Sequence, residues 1–241
     1  MEYIELRDKL LKRYDQFFKD MEIDSQTGIV KGSAKRFTGY PYIGRNYCNA
    51  PIRILFIPYD VGEDECAAQN TFHSFQDRQD IFPDGMLEFN DHIAGLYATA
   101  LFILKDAMGY QQAWEMLCKE CDCTTKISIR RAFEYLPKDL MSYVAYENRY
   151  RFVTVKRDNE RSGNKDRVWL NLEFERQMLM DEIELFSPNI IVFQGEDGTS
   201  DCNINELKKK FKVIVTGHPS CWQYKMNRIQ YILDNIGPQL N

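Results

Sequence analysis

The chain lacks the features that mark membrane, secreted or disulfide-bonded proteins. No apolar run approaches the roughly 18 residues of a membrane span, and the charged start Met-Glu-Tyr-Ile-Glu-Leu-Arg has no apolar core of signal-peptide length. The 7 cysteines are an odd number scattered over 241 residues, which indicates reduced thiols rather than a disulfide framework. We therefore predict a soluble, cytoplasmic protein with no membrane partner.

The chain also lacks a large excess of charge of either sign. Lys and Arg number 31 against 36 Asp and Glu, and this mildly acidic balance by itself argues against a nucleic-acid partner. One stretch, 124–167, departs from this balance, because it contains eleven basic residues and six acidic ones. Such a stretch is either a solvated face or a surface that contacts phosphates. The sequence leaves both interpretations open.

Internal repeats, low-complexity segments and linkers are absent from the sequence. A chain of 241 residues with 44% hydrophobic content can bury a sizeable core as one domain. We therefore predict a single domain over 1–241, in which 1–50 forms an N-terminal helix and loop extension.

Alternating helical and strand patterns predict the fold class. The strands are short and nearly uniformly apolar, as expected for a parallel sheet that is covered on both faces. The pattern predicts an α/β fold, in a three-layer α/β/α arrangement with a short, mainly parallel central sheet. The predicted elements are helices at 3–21, 86–107, 172–186 and 204–210, strands at 53–58, within 142–156, at 190–193 and at 212–216, and a last helix that carries Ile229, Ile232, Leu233 and Ile236.

Two of the predicted strands end next to side chains that can do chemistry. Asp60 follows the apolar run 54–57, and His218 follows the run 213–215 after Gly217. Because the carboxyl ends of parallel strands gather at one edge of a sheet, residues this far apart in sequence can face one pocket. Taken singly, each could also be an ordinary turn or helix-cap residue.

The remaining histidines and the clustered cysteines have simpler interpretations. His73 and His92 are expected to be surface or structural residues, although His73 adjoins Phe72 in sequence. Cys118, Cys121 and Cys123 lie within six residues without a spaced fourth ligand, which favours a helix end over a metal site. We predict no metal.

Three segments together resemble one known family. They are Pro58-Tyr59-Asp60-Val61-Gly62 with the acidic Glu63-Asp64-Glu65, the helix, proline, strand and glycine of 182–195, and His218-Pro219-Ser220. Their order and spacing are similar to those of the uracil-DNA glycosylase superfamily, over about 53–226. The resemblance implies that superfamily's three-layer fold and a DNA glycosylase, which hydrolyses the N-glycosidic bond of uracil or a related damaged base without a cofactor.

The resemblance also implies roles for individual residues. Asp60 would orient the attacking water and offset positive charge on the sugar, and His218 would donate a hydrogen bond to the leaving base. Phe72 would stack on the extruded base. Asn148 would read a pyrimidine edge through its amide, with Thr154 and Asn159 as competitors for that role.

Further residues are assigned to base and DNA binding by the same resemblance. Tyr59 and Gly62 lie within the first motif, and Gly62 replaces the bulky tyrosine that one branch uses to exclude thymine, which leaves base specificity open. Ser220 would bond a phosphate, and Trp222 would enter the base stack as an apolar wedge. The assigned basic contacts to DNA are Lys156, Arg157 and Arg161.

Two alternatives from other classes stay open. The family's usual proline after the catalytic position is Val61 here, and the glycine that often opens the motif is Pro58, so the chain could be a catalytically silent nucleic-acid or nucleotide-binding protein on the same fold. It could also be a hydrolase of another nucleoside or glycosidic substrate. The expected partner is DNA and the expected state is a monomer. The excised base and the preference for single or double strands are not predicted.

Overall fold

A five-stranded sheet forms the centre of the protein in a computed structural model of the chain. The structure describes residues 1–20, 22, 40–58, 75, 79, 91–120, 136–149, 172–195, 204–219, 221 and 227–240. Within these ranges the strands are β1 (Tyr42–Ile43), β2 (Ile54–Pro58), β3 (Val144–Tyr146), β4 (Ile190–Gln194) and β5 (Lys212–Thr216).

The strands are arranged in the order β1-β3-β2-β4-β5. The pairings β2–β3, β2–β4 and β4–β5 are parallel, whereas β1 runs antiparallel to β3. The sheet is therefore mixed, and parallel over its central part. Strand β1 was not predicted, because two residues are too few to show a periodic pattern.

Seven helical segments are described around this sheet. They are α1 (Tyr3–Asp20), α2 (Asp91–Leu104), α3 (Gln111–Glu120), α4 (Leu172–Phe186), α5 (Ile204–Lys210), α6 (Arg228–Tyr231) and α7 (Gly237–Leu240), with a π-helical turn at Ile232–Ile236 between the last two. Short 3₁₀ turns occupy Tyr47–Asn49 and Leu140–Tyr143. The predicted helices at 172–186 and 204–210 have the observed bounds, while α3 was not predicted.

Both faces of the sheet are covered by apolar side chains from the helices. All five positions of β2 and of β4 are buried, which explains why their sequences are uniformly apolar rather than alternating. Phe56 and Val192 pack on the face covered by α2 and α3. Leu55 and Ile191 pack on the other face, under α1 and α4. The predicted α/β class is confirmed, and the layering is compatible with three layers.

Helix α1 is held on the sheet by an apolar stripe. Leu6, Leu10, Tyr14 and Phe17 recur at helical spacing and are buried, and each belongs to the core cluster that contains Leu55 of β2. An ion pair between Arg13 and Asp181 joins α1 to α4 at the partly exposed rim of this contact. The N-terminal helix therefore packs directly on the sheet.

The parallel strands direct their carboxyl ends to one edge of the sheet. The register pairs Pro58 of β2 with Gln194 of β4, and Gln194 with Thr216 of β5. The β2–β3 ladder continues beyond Tyr146, because Glu147 N donates to Phe56 O at 2.9 Å and Arg149 N donates to Pro58 O at 2.9 Å. We call Pro58, residues 146–149, 194–195 and 216–218 the carboxyl edge.

Candidate active site

Polar side chains from three strand ends and one helix meet at the carboxyl edge. Asn148 follows β3, Gln194 ends β4, and His218 lies two residues beyond β5. Helix α2 adds His92 in its first turn. Open parallel sheets bind ligands at the carboxyl ends of their strands, so this edge is the candidate site.

The rings of His92 and His218 contact each other in the site. The Nδ1 atom of His92 lies 3.0 Å from the Nε2 atom of His218, and the ring centroids are 4.6 Å apart. One of these nitrogens must donate and the other accept, so a hydrogen-bonded pair contains at least one neutral ring. Protonation of both rings would remove the hydrogen bond and place two like charges in contact.

The loop that carries His218 is anchored to the C-terminal helical region. The hydroxyl of Tyr231 accepts from Gly217 N at 2.7 Å, and Cys221 N donates to the carbonyl oxygen of His218 at 2.8 Å. A Cβ at Gly217 would lie 2.7 Å from that hydroxyl, so a larger residue here would displace it. On the other side, the ring of Tyr146 meets His92 edge-on at 5.9 Å between centroids. The two imidazoles are thus supported from β3 and from the C-terminal helices.

Burial determines the charge state of His218. Desolvation lowers the pKa of this imidazole below its ordinary value of about 6.5, because burial removes water from the charged form. His218 is therefore neutral at pH 7. A neutral imidazole can donate one hydrogen bond and accept another.

This pKa shift predicts a loss of stability on acidification. Because the folded pKa lies below the unfolded one, the unfolded chain binds more protons, and the free energy of unfolding falls as the pH drops below about 6.5 towards the folded pKa. We expect urea unfolding between pH 7.5 and 5.0 to show this slope. The variant His218→Asn should show a shallower slope over the same range. An equal slope in both proteins would contradict the assignment of a buried neutral imidazole.

The amide side chains of the site are buried as well. Asn148 is 3% exposed and Gln194 is 1% exposed. Alternation along the ladder directs Gln194 to the same face as Val192, which is the face that α2 covers. Asn148 follows Tyr146 by two residues and so lies on that face too. Two carboxamides therefore stand on the histidine side of the sheet.

Among the predicted site residues, the structure describes Asn148 and His218, and both lie at the carboxyl edge. The others lie outside the described residues: Tyr59, Asp60, Gly62, Phe72, Lys156, Arg157, Arg161, Ser220 and Trp222. Thr154 and Asn159, the other candidates for the role assigned to Asn148, also lie outside the described residues. Their assignments stay predictions.

Most of the basic stretch 124–167 is likewise undescribed. Arg149 belongs to its described part and is 3% exposed, so this guanidinium does not contribute to a solvent-facing phosphate surface. Lys138 is exposed. The interpretation of the stretch as a phosphate-contacting surface stays open.

The described part of the chain has neither a candidate metal site nor a helix that could span a membrane. No group of three or more His, Cys, Asp or Glu side chains there has an arrangement that could hold a metal ion. Cys118 is partly buried, which raises the pKa of its thiol above the ordinary value, while Cys121 and Cys123 lie outside the described residues. None of the described helices has the length and apolar character needed to cross a membrane.

Two residues of the site were missed by sequence reasoning. His92 was expected to be a surface or structural residue, because a single histidine in a helical pattern carries no signal for a contact 126 positions away. Gln194 did have a signal, since this polar residue ends an otherwise apolar strand just before Gly195. A polar residue that ends a buried apolar strand is therefore a sequence signal for a site at the carboxyl edge.

Comparison of the chain with known protein families, curated proteins and solved structures found no match. The functional interpretation therefore depends on the motif resemblance and on the chemistry of the carboxyl edge.

Proposed function

We propose that this protein is a DNA glycosylase of the uracil-DNA glycosylase superfamily, acting on uracil or a related damaged base. The observation that carries the proposal is the position of Asn148 and of the neutral His218 at one edge of the sheet, on either side of Pro58. Asp60 follows Pro58 by two residues in the sequence. Asn148 and His218 thus lie at strand ends of one sheet, and the resemblance assigns the hydrolysis itself to Asp60 and His218.

The chemistry requires opposite electrostatic contributions on the two sides of the scissile bond. Cleavage of an N-glycosidic bond develops positive charge on the sugar and negative charge on the leaving base. The carboxylate of Asp60 would stabilise the sugar and orient the attacking water. A partly buried neutral imidazole would donate to the base without the cost of desolvating a cation. The lowered pKa of His218 supports this second role.

The histidine pair assigns a tautomer to His218 under this proposal. Its Nε2 atom is in contact with His92, so the proton offered to a ligand must be on Nδ1. This arrangement requires His92 Nδ1–H to donate and His218 Nε2 to accept. His92 would then be a positioning residue that selects the tautomer of His218.

The direct test is base release from DNA. Oligonucleotides with single uracil, hypoxanthine, thymine-mismatch or oxidised lesions should yield free base with the wild-type protein. The variant Asp60→Asn should release base at least about a hundredfold more slowly, because it keeps the size of the side chain but loses its charge. Lys212→Ala, a change at an exposed position at the start of β5, is the control and should match the wild type.

The same experiment separates the alternatives. Absence of release from every lesion, together with salt-sensitive DNA binding by the folded protein, would contradict catalysis and support a silent binding protein. Release from nucleosides with no binding to DNA would support a hydrolase of another nucleoside substrate.

A further inference from the structure

Gln194 has a buried side-chain amide without hydrogen-bond partners among the described residues. Its side chain is 1% exposed, and both Oε1 and Nε2 are sealed from solvent. Burial of an amide without partners is unfavourable, and native proteins pair the large majority of such groups. The unpaired Gln194 therefore requires an explanation beyond packing.

Gln79 shows how this fold satisfies a buried glutamine that has a structural role. Gln79 is 9% exposed, and its Nε2 donates to Pro41 O at 2.9 Å and to Phe75 O at 3.3 Å. Its Oε1 accepts from Ile43 N at 2.9 Å. The amide of Gln79 thus ties β1 to a neighbouring segment, whereas that of Gln194 ties together no described elements.

The position of Gln194 indicates where a partner for its amide would bind. Gln194 is the last residue of β4, in register with Pro58 on one side and Thr216 on the other. It lies on the sheet face covered by α2, the helix that carries His92. A ligand that enters at the carboxyl edge and displaces the atoms covering this amide could therefore contact both the histidine pair and Gln194.

We propose that Gln194 reads the edge of the bound base, which extends the proposed function by naming a substrate class and rests on it. A primary amide offers a donor beside an acceptor, and it pairs with a ring that presents a carbonyl beside an N–H. Uracil and hypoxanthine have such an edge. Nε2 would donate to the ring carbonyl, and Oε1 would accept from the adjacent ring N–H.

The spacing of the two amides fits this assignment. Asn148 follows β3 and Gln194 ends β4, and β2 lies between these two strands. At the usual spacing of neighbouring strands, the backbones of the two residues are about 9–10 Å apart. Side chains that converge from such a distance can contact two edges of one planar ring. On uracil, Gln194 would accept from the single ring N–H and donate to one carbonyl, and the amide of Asn148 would donate to the other carbonyl.

The test compares Gln194→Met with the matched control Gln79→Met, since methionine keeps the length of the side chain and removes its polar atoms. Gln194→Met should raise the melting temperature by about 2–4 °C, because an unpaired buried amide is replaced by an apolar group. Gln79→Met should lower it, because it leaves Ile43 N and Pro41 O without their partner. A fall for Gln194→Met would overturn the proposal.

Binding is measured with 1-methyluracil and 9-methylhypoxanthine, in which a methyl group replaces the sugar. The wild type should bind at least one of them, and should bind the N–H-blocked 1,3-dimethyluracil or 1,9-dimethylhypoxanthine at least about tenfold more weakly. Gln194→Met should bind the first pair at least about tenfold more weakly than the wild type. Unchanged affinity in Gln194→Met, or no binding of any probe by the wild type, would overturn the proposal.

The outcomes separate this inference from the proposed function. Binding that depends on Gln194, without base release from any lesion DNA, would support a base-reading role while contradicting the glycosylase. Base release that Gln194→Met leaves unchanged would support the glycosylase while contradicting a reading role for Gln194.

Discussion

Replacement of His218 by alanine is expected to lower the rate of base release by about two to three orders of magnitude. The variant removes the partly buried neutral donor that would stabilise charge on the leaving base. The effect should appear in kcat rather than in KM, because the charge develops only in the transition state. Single-turnover release from a lesion oligonucleotide measures it.

Variants of His92 test whether the histidine pair acts as a unit. His92→Asn can keep a donor near the original Nδ1 atom, whereas His92→Leu cannot, so the asparagine variant should retain more release than the leucine variant. Lys212→Ala is again the control. A His218→Ala protein that is folded and releases base at the wild-type rate would contradict the catalytic assignment of His218.

Replacement of Gly44 by alanine is expected to destabilise the protein by about 3 kcal/mol or more. A Cβ at this position would lie 2.7 Å from the carbonyl oxygen of Val144 and still closer to the carbonyl group of Ser142. Both neighbours are backbone atoms that cannot rotate away. Gly44 N also donates to Val144 O at 2.9 Å, so relief of the clash would break the contact that continues the β1–β3 pairing.

Gly237→Ala is the matched control for this prediction. Gly237 has helical backbone angles, and a Cβ there would meet Phe102 at an ordinary 3.6 Å. Alanine there would reduce the entropy of the unfolded chain, but the helical angles are disfavoured for a residue with a Cβ before Pro238, so the net change should stay within about 1 kcal/mol. Urea unfolding midpoints measure both variants. A loss of less than about 1 kcal/mol for Gly44→Ala would show that the β1 region accommodates the methyl group.

The accuracy of the sequence predictions differs between elements for physical reasons. Helix 172–186 was predicted at its observed bounds, because an amphipathic pattern ends just before Pro188. The strand predicted at 212–216 is observed at Lys212–Thr216 for a comparable reason, since an apolar run there ends at Gly217. Strand β1 has two residues, and its pairing with β3 depends on a contact about 100 positions away. No local pattern encodes such a pairing.

In the site, too, the features encoded locally were predicted and those that depend on contacts between distant residues were not. The sequence pattern indicated that His218 follows a strand, whereas only the resemblance assigned Asn148 to a strand end; the structure describes both at the carboxyl edge. The contact between His92 and His218 joins residues 126 positions apart, and only the packing of α2 on the sheet creates it. The unpaired amide of Gln194 likewise becomes visible only when its surroundings are known.

The sequence by itself determined the α/β class, the approximate bounds of most described helices and strands, and the position of His218 after a strand. Local hydrophobic periodicity and chain-breaking residues encode these features within short segments. The tertiary structure alone decided the mixed strand order, the neutral state of His218, its contact with His92 and the isolation of the Gln194 amide. Each of these depends on desolvation or on contacts between distant segments, which exist only after the helices have packed on the sheet.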